Sequence, residues 1–472
     1  MTTSLLWFRR DLRLDDHPAL LAAAHGRDEH AQRDVLGVFV ADDALLRAAG
    51  APRRQFLGGC LEHLSTAMDG RLLIVSGRPA DVIPRLAAAV GADTVHVSAD
   101  YGPYGGSRDR RVEAVLHEQG VDLVATGSAY AVAPGRIRKP DGTPYAVFTP
   151  FHRAWAEHGW RKPAGNAGGV SWLDPSELSR SGSSEAASFE AMTVTAIAGN
   201  AAERPDLPDP GEHAAKRAWK KFLDAKVTDY DDERNRPDHP GTSHMSAYVK
   251  WGCVHPRSLL ADLAAVGSPG AASYRRELAF REFYADLLFH HPESPTRSAD
   301  PSVDRLEWDT GDMAAEHLAA WKAGRTGFPY IDAGMRQLLS QGWIHNRARM
   351  GVASFLIKDL HLPWQVGADH FLDHLVDGDI ASNTYGWQWV AGAGAQAAPF
   401  YRVFNPVGQG EKHDPNGDYV RTFVPELAGV PGKAVHRPWD LPDGIPAGYP
   451  TPIVDHATER AEALRRFAAR SS

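Results

Sequence analysis

The sequence predicts two folded parts in tandem: a parallel α/β domain followed by a mostly helical domain. Three observations carry this. Short β-rich apolar runs alternate with helical periodicity from residue 5 to residue 125. Strand signals fade after residue 212. Nine of the 13 tryptophans lie beyond residue 210, so the two parts differ in chemistry as well as in pattern.

Leu5–Phe8, closed by Arg9-Arg10, reads as a buried strand. Pro18–Ala24 follows as a helix, with Asp16 or His17 near its start. Val35–Val40 is the second strand. Arg53–Met68 has helical spacing, with Phe56, Leu57, Cys60, Leu61 and Leu64 on one face. Leu72–Val75 is a strand, Asp81–Val90 a helix, Thr94–Val97 a strand, Arg108–Gln119 a helix and Val121–Ala125 the fifth strand. Such alternation requires crossover connections and a parallel sheet, which takes ligands at the carboxyl ends of its strands. No GxGxxG or GxxxxGK[ST] motif follows any strand, so a standard dinucleotide or P-loop site is not expected there. Residues 161–211 are rich in Gly, Ala, Ser and Pro (GNAGG, SRSGSSEAAS, RPDLPDPG) and read as a long interdomain connection over the surface. The divisions expected are 1–130, a connection over 131–211, and 212–472.

In the second part Ala214–Leu223, Ser246–Trp251, Pro256–Leu263, Ser273–Leu288, Ala314–Ala323, Ile331–Gln341, His345–Asp359 and Asp369–Val376 read as helices, with Gly, Pro or Asp at the breaks. Polar residues at apolar helix positions are the informative feature. Asn346, Arg349, Met350 and Ala353 share one helical face. A guanidinium there needs a carboxylate or a ligand. Asp377, Asp379 and Asn383 lie in a Gly-broken segment nearby in sequence. On these residues alone, a buried ion pair that only fixes the fold serves equally well. The 22 histidines include no HExxH, and no GxSxG elbow occurs.

Composition bounds the rest. At 472 residues, 43% hydrophobic and 23% charged, the chain is that of a globular protein and not of a disordered one. No apolar run reaches the ~18 residues of a membrane span. The start, MTTSLLWFRRDLRLDD, becomes charged too soon for a signal peptide. Two cysteines, Cys60 and Cys253, fit a reducing cytosol, so a cytoplasmic location is expected. The net charge of -8 opposes coating of nucleic acid by bulk charge but leaves room for a local basic groove.

The motifs resemble those of the photolyase/cryptochrome family, most closely its class I cyclobutane pyrimidine dimer photolyases. The likeness runs from WFRRDLRL at Trp7–Leu14 to FNPVGQGEKHDPNGDYVR at Phe404–Arg421. Its strongest blocks are GTSHMS (241–246), ELAFREFYADLL (277–288), TGFPYIDAGMRQL (326–338), GWIHNRARM (342–350) and DGDIASNTYGWQW (377–389). The resemblance implies a Rossmann-like N-terminal α/β domain and an all-α C-terminal FAD-binding domain. It implies one non-covalent FAD and a deoxyribodipyrimidine photo-lyase that acts by light-driven electron transfer to a flipped dimer. Damaged DNA is then the partner, with no membrane and no metal, and the chain is expected to be a monomer.

By the same resemblance Thr242, Ser243, His244, Met245 and Ser246 cradle the FAD pyrophosphate. Tyr230, Tyr274 and Arg281 contact FAD, Arg349 pairs with Asp377, Gly378 and Asp379 lie beside the cofactor, and Asn383 faces flavin N5. Glu277, Phe280, Asn346, Met350 and Trp389 match the dimer pocket. Arg234, Arg347, Arg402 and Gln409 match positions near the DNA backbone. Trp387, Trp364 and Trp308 match an electron relay from surface to flavin. Phe280 stands where the family usually has Trp, so weaker dimer binding is expected; Tyr274 and Tyr385 also depart from commoner choices. For an antenna, Gly105 replaces the acidic residue of folate users. DYGPYGGSRD resembles the Asp-x-x-Pro-Tyr pattern of 8-hydroxy-5-deazaflavin binders, with Asp100 and Arg54 as candidate contacts. A photosensory cryptochrome with little or no repair is the alternative. A non-enzymatic nucleotide or flavin carrier would fit only the first half.

Overall fold

The computed structural model describes residues 3–25, 33–178, 191–199, 206–394 and 401–470. Five parallel strands, β1 (Thr3–Phe8), β2 (Asp34–Ala41), β3 (Leu72–Ser76), β4 (Ala92–Ala99) and β5 (Asp122–Ser128), form a sheet of order β3-β2-β1-β4-β5. The register sets Leu5 between Leu36 and Val95. The order reverses at β1, so the ligand crevice expected of such a sheet lies between the carboxyl ends of β1 and β4. Here Arg9 fills it. Its Nη1 reaches Asp109 Oδ1 at 2.5 Å, and the guanidiniums of Arg9 and Arg108 lie over Trp7 at 4.7 and 4.9 Å.

Alternation along the strands separates two apolar faces. Leu5, Trp7, Leu36 and Val38 pack under Val82, Ile83 and Leu116. Leu6, Phe8 and Phe39 pack with Phe56, Leu61 and, continuously, with Tyr248, Cys253 and Tyr274 of the helical part. A second helical core gathers Trp321, Phe328, Tyr330, Phe355, Trp364 and Trp387. The sheet and half of the helices thus share one core, which fixes the two parts against each other.

Helix positions agree closely in Ser246–Trp251, Pro256–Ala264, Pro329–Gln341 and Asn346–Lys358, and Ser273–Leu288 extends to Pro269–His290. Three differences have physical causes. First, Ser171–Trp172 adds a short parallel strand, β6, beside the start of β2, and Val194–Ala198 packs on helix Ala51–Ala67 with Ile197 buried. The connection is therefore fastened to the α/β domain and does not run free over the surface; the SRSGSSEAAS stretch lies outside the described residues. Second, Phe148–His158 is a helix, buried through Phe148, Phe151 and Trp155 against Pro269–His290. Glu282 ties that region down by accepting from the Val132 N–H (3.0 Å) and Trp155 Nε1 (2.6 Å), and Asp286 accepts from the Gly135 N–H (2.6 Å). Third, the segment after Asp379 forms the helix Ile380–Ala391. Asp379 caps it by accepting from the Ser382 N–H at 3.1 Å, and core contacts override the weak helix propensity of Asn383, Thr384 and Gly386. Pro406–His413, Asp418–Phe423 and His456–Ala469 are further helices without strong periodic signals. Among the described residues no helix is long and apolar enough to cross a membrane.

Candidate functional site

A cavity of about 400 Å³ opens at the seam between the two helical cores. One wall is the stripe Tyr274, Glu277, Arg281 and Tyr284 of helix Pro269–His290, spaced three and four residues apart so that all face one way. The opposite wall carries Asn346, Arg349, Met350 and Ala353, the face expected of that helix. The turn Thr242–Ser246 and the run Asp377, Asp379, Asn383 and Trp387 close the ends.

The turn is built for a polar ligand. His244 sits at φ 55°, a left-handed conformation a non-glycine residue adopts only under constraint. Its ring packs 4.2 Å from Trp343, and burial lowers its pKa, keeping the imidazole neutral. Ser243 Oγ accepts from the Met245 N–H (3.3 Å) and shares a hydrogen bond with the Tyr274 hydroxyl (2.7 Å). Tyr274, a departure in the sequence, thus orients the cradle. Tyr274→Phe should weaken FAD binding roughly two- to tenfold, the worth of one hydrogen bond of ~0.5–1.5 kcal/mol; flavin titration of the apoprotein measures it.

Charge is dense. Arg349 Nη2 donates to both Asp377 oxygens at 3.1 and 2.9 Å, while its Nε donates to the Ile344 carbonyl at 2.8 Å. Asp379 accepts from Arg10 Nη2 at 3.0 Å, a bond from the end of β1 into the helical domain. Burial opposes the Asp379 charge, but Arg10, Lys250 and Arg281 overcome it and hold the carboxyl well below the usual range. Burial, with Arg10 adding to it, pushes Lys250 down to about 7. Arg281 Nη1 donates to the Ala129 carbonyl at 3.0 Å and its guanidinium covers Tyr130 at 4.6 Å, while its buried Nη2 has no hydrogen-bond partner among the described residues. Asn383 is anchored by Nδ2 to the Ala368 carbonyl (3.0 Å). A cradle of hydroxyls and a buried donor without a partner fit a large anionic cofactor such as a dinucleotide.

Glu277, Phe280, Asn346 and Met350, the residues expected to form a dimer pocket, line the same cavity, as does Arg234. Arg234 Nη2 stands 2.6 Å from Glu277 Oε1 and its Nη1 donates to Ser273 Oγ at 2.7 Å. Burial raises the Glu277 pKa; Arg234, Arg276 and Arg347 oppose the rise. Phe280 stacks on Phe148 with ring centroids 3.4 Å apart. Trp389 is part-buried in the C-terminal core and is not among the lining residues. Neither is Arg347, whose Nε donates to Asn235 Oδ1 at 2.7 Å, nor Arg402, which is exposed, nor Gln409 on helix Pro406–His413. Gly378 also lies outside the lining: a Cβ there would meet Arg53 Nη1 at 2.5 Å, so the glycine admits that interdomain arginine. Lys250, Tyr284, Trp343 and Phe371 line the cavity without having been singled out. Two of them carried a signal: Lys250 as a cation within a largely apolar short helix, and Tyr284 by its helical spacing from Glu277 and Arg281.

Trp387 lines the cavity, edge-on to Phe371 at 5.0 Å. Trp364 is 1% exposed and donates from Nε1 to Ser298 Oγ at 2.9 Å. Trp308 is part-exposed at the rim of the same apolar core. In the α/β domain Asp100 directly follows β4, accepts from the Gly102 N–H (3.1 Å) and from Arg108 Nη2 (3.3 Å), and fills the space a Gly105 side chain would need. Arg54 turns elsewhere. Its Nε donates to the Ile197 carbonyl at 2.9 Å, and Arg53 reaches the Leu372 carbonyl of the helical domain. Arg54, expected as an antenna contact, is thus drawn to the end of helix Val194–Ala198, and its neighbour Arg53 to that of helix Trp364–His374.

Fold and site together define a two-domain flavin-type protein whose cofactor cavity lies in the helical half. The family profile described as DNA photolyase matches residues 4–167, and that described as the FAD binding domain of DNA photolyase matches residues 274–469. A deoxyribodipyrimidine photo-lyase of Streptomyces griseus is 38% identical, over 98% of each chain. The crystal structure of a bacterial class III photolyase from Agrobacterium tumefaciens superposes with a TM-score of 0.86 at 34% identity, covering 100% of this chain and 98% of the other. An archaeal photolyase from Sulfolobus tokodaii with two FAD molecules has a TM-score of 0.83 at 27% identity, covering 99% and 100%. The chain belongs to the photolyase/cryptochrome family.

Proposed function

We propose that this chain is a deoxyribodipyrimidine photo-lyase that repairs cyclobutane pyrimidine dimers in DNA by light-driven electron transfer. One observation carries the reading: the cofactor cradle (Thr242–Ser246, Asp377, Asp379, Asn383) and the dimer residues (Glu277, Asn346, Met350) line a single cavity. FAD, when bound and reduced, would lend on excitation the electron that opens the cyclobutane ring and take it back from the separated pyrimidines, leaving no net oxidation or reduction. The protein's part is positional and electrostatic. Thr242–Ser246 and Arg281 hold phosphate oxygens. Arg349 and Asp377 neutralise each other beside the ring system. Asn383 offers an amide that donates or accepts. Glu277 accepts an N–H from the extruded pyrimidine. Illumination of the reduced holoprotein with dimer-containing DNA tests this, with restored pyrimidines as the expected product. Binding without repair by fully reduced protein would mark a cryptochrome-like photoreceptor.

Trp387, Trp364 and Trp308 serve in this reading to re-reduce FAD and stand outside the repair step. Trp308→Phe should lose most photoreduction in the presence of a thiol, yet repair normally after dithionite reduction. Equal photoreduction rates in variant and wild type would remove the relay assignment. The second chromophore is an 8-hydroxy-5-deazaflavin held near Asp100, with Arg54 no longer a contact. The absence of a carboxylate at Gly105 supports this over folate. Reconstitution with deazaflavin should add one visible absorption band per chain, reduced by Asp100→Ala. Stoichiometric folate uptake without deazaflavin uptake would overturn it, and a second bound FAD, as in the archaeal relative, would do the same.

A further inference from the structure

We propose that Arg276 binds a DNA phosphate beside the flipped dimer, through a guanidinium held at the side of the Phe148–Phe280 ring pair. The proposal rests on the DNA-repair reading and adds to it a contact that the family motifs did not supply. Arg276 precedes Glu277 and lies four residues before Phe280, both of which line the cavity, while Arg276 itself lies outside the lining. Its guanidinium lies 5.1 Å from the Phe148 ring and 5.9 Å from the Phe280 ring. Those rings are stacked 7° from parallel, and Phe148 belongs to a different helix, Phe148–His158. Two packed elements therefore restrict where this long side chain can go, which an ordinary solvated arginine lacks.

Its donors are free. Arg276 is exposed and has no hydrogen bond or ion pair among the described residues. The neighbouring arginines differ: Arg234 is held by Glu277 and Ser273, and Arg347 by Asn235. The guanidinium lies at the side of the ring pair, and its N–H donors are open to a planar, bidentate acceptor, the geometry that a phosphodiester offers. A pyrimidine dimer drawn into the cavity leaves its phosphates outside it, within reach of a long side chain on the helical turn that carries Glu277 and Phe280. Arg276 also stands beside Phe280, a residue of the cavity lining.

The test is dark binding of the FAD-loaded protein to a short duplex with and without one cyclobutane dimer, over a salt series. Removing one phosphate contact lowers the slope of log K against log salt by about 0.9, equivalent to roughly eightfold weaker binding at 0.1 M salt. Arg276→Gln should show both changes on the dimer duplex. Arg276→Lys should restore the slope, because it keeps the charge, with part of the affinity. An unchanged slope in Arg276→Gln, with flavin content intact and the preference for dimer DNA retained, overturns the role of Arg276 alone. Equal wild-type affinity for damaged and undamaged duplex overturns the repair reading, and this proposal with it.

Discussion

Asp377→Ala is expected to purify largely without FAD and to unfold at a lower temperature than the wild-type apoprotein. The Asp377 side chain is 5% exposed and accepts two bonds from Arg349 Nη2. Among the described residues Arg349 has no other carboxylate, its Nε being directed to the Ile344 carbonyl. Removing one partner of a buried pair leaves an uncompensated charge, at about 3–5 kcal/mol for a fully buried case. The Arg349 side chain is 28% exposed, so water recovers part of this and about 2–3 kcal/mol remains. The cofactor effect adds to it, because the unpaired guanidinium would be free to swing into the space the ring system needs. Asp377→Asn keeps the shape and one acceptor and should fall between. The ratio of flavin to protein absorbance and the thermal unfolding of both apoproteins read the two effects separately. A variant that retains stoichiometric FAD at an unchanged melting temperature would show that the pair is not part of the cofactor site.

What the residues disclosed, and what they withheld, follows from interaction range. The five strands of the parallel sheet are legible because each is a short apolar run between breakers, and burial on both faces demands such runs. The face shared by Asn346, Arg349, Met350 and Ala353 is legible because helical periodicity alone places it. The helix Ile380–Ala391 is not: it contains Asn383, Thr384 and Gly386, and only the Asp379 cap and the surrounding core make it helical. Pairings across long separations are hidden for the same reason. Arg10 meets Asp379, Arg54 meets Ile197, and Phe148 stacks on Phe280, none through any local pattern. The site residues were found through whole motifs, and the motif positions that fall outside the cavity, Gly378 and Trp389 among them, support it from behind. Gly378 makes room for Arg53, and Trp389 packs in the core beneath.

Glu277→Gln should cost the protein its preference for dimer DNA without costing it stability. The carboxylate lies in the cavity wall, beside Arg234 Nη2 at 2.6 Å, with its Oε1 buried and lacking an aligned donor. An N–H of an extruded pyrimidine is such a donor. A hydrogen bond to a charged group contributes about 1.5–3 kcal/mol, so affinity for the dimer duplex should fall roughly 10- to 150-fold while affinity for undamaged duplex stays. Burial raises the Glu277 pKa above the ordinary 4.5, against the opposing pull of Arg234, Arg276 and Arg347. Two consequences have fixed signs. Wild-type preference for the dimer should be lost as pH falls through that raised value, because the protonated acid is a poorer acceptor, and Glu277→Gln should abolish this pH dependence. A carboxyl whose folded pKa is raised contributes less to stability as pH rises through it. Glu277→Gln should therefore melt no lower than wild type at neutral pH, which separates lost recognition from misfolding. Dark binding of damaged and undamaged duplex across pH, beside thermal unfolding of both proteins, measures all three. An unchanged preference for the dimer at neutral pH would remove Glu277 from the substrate pocket.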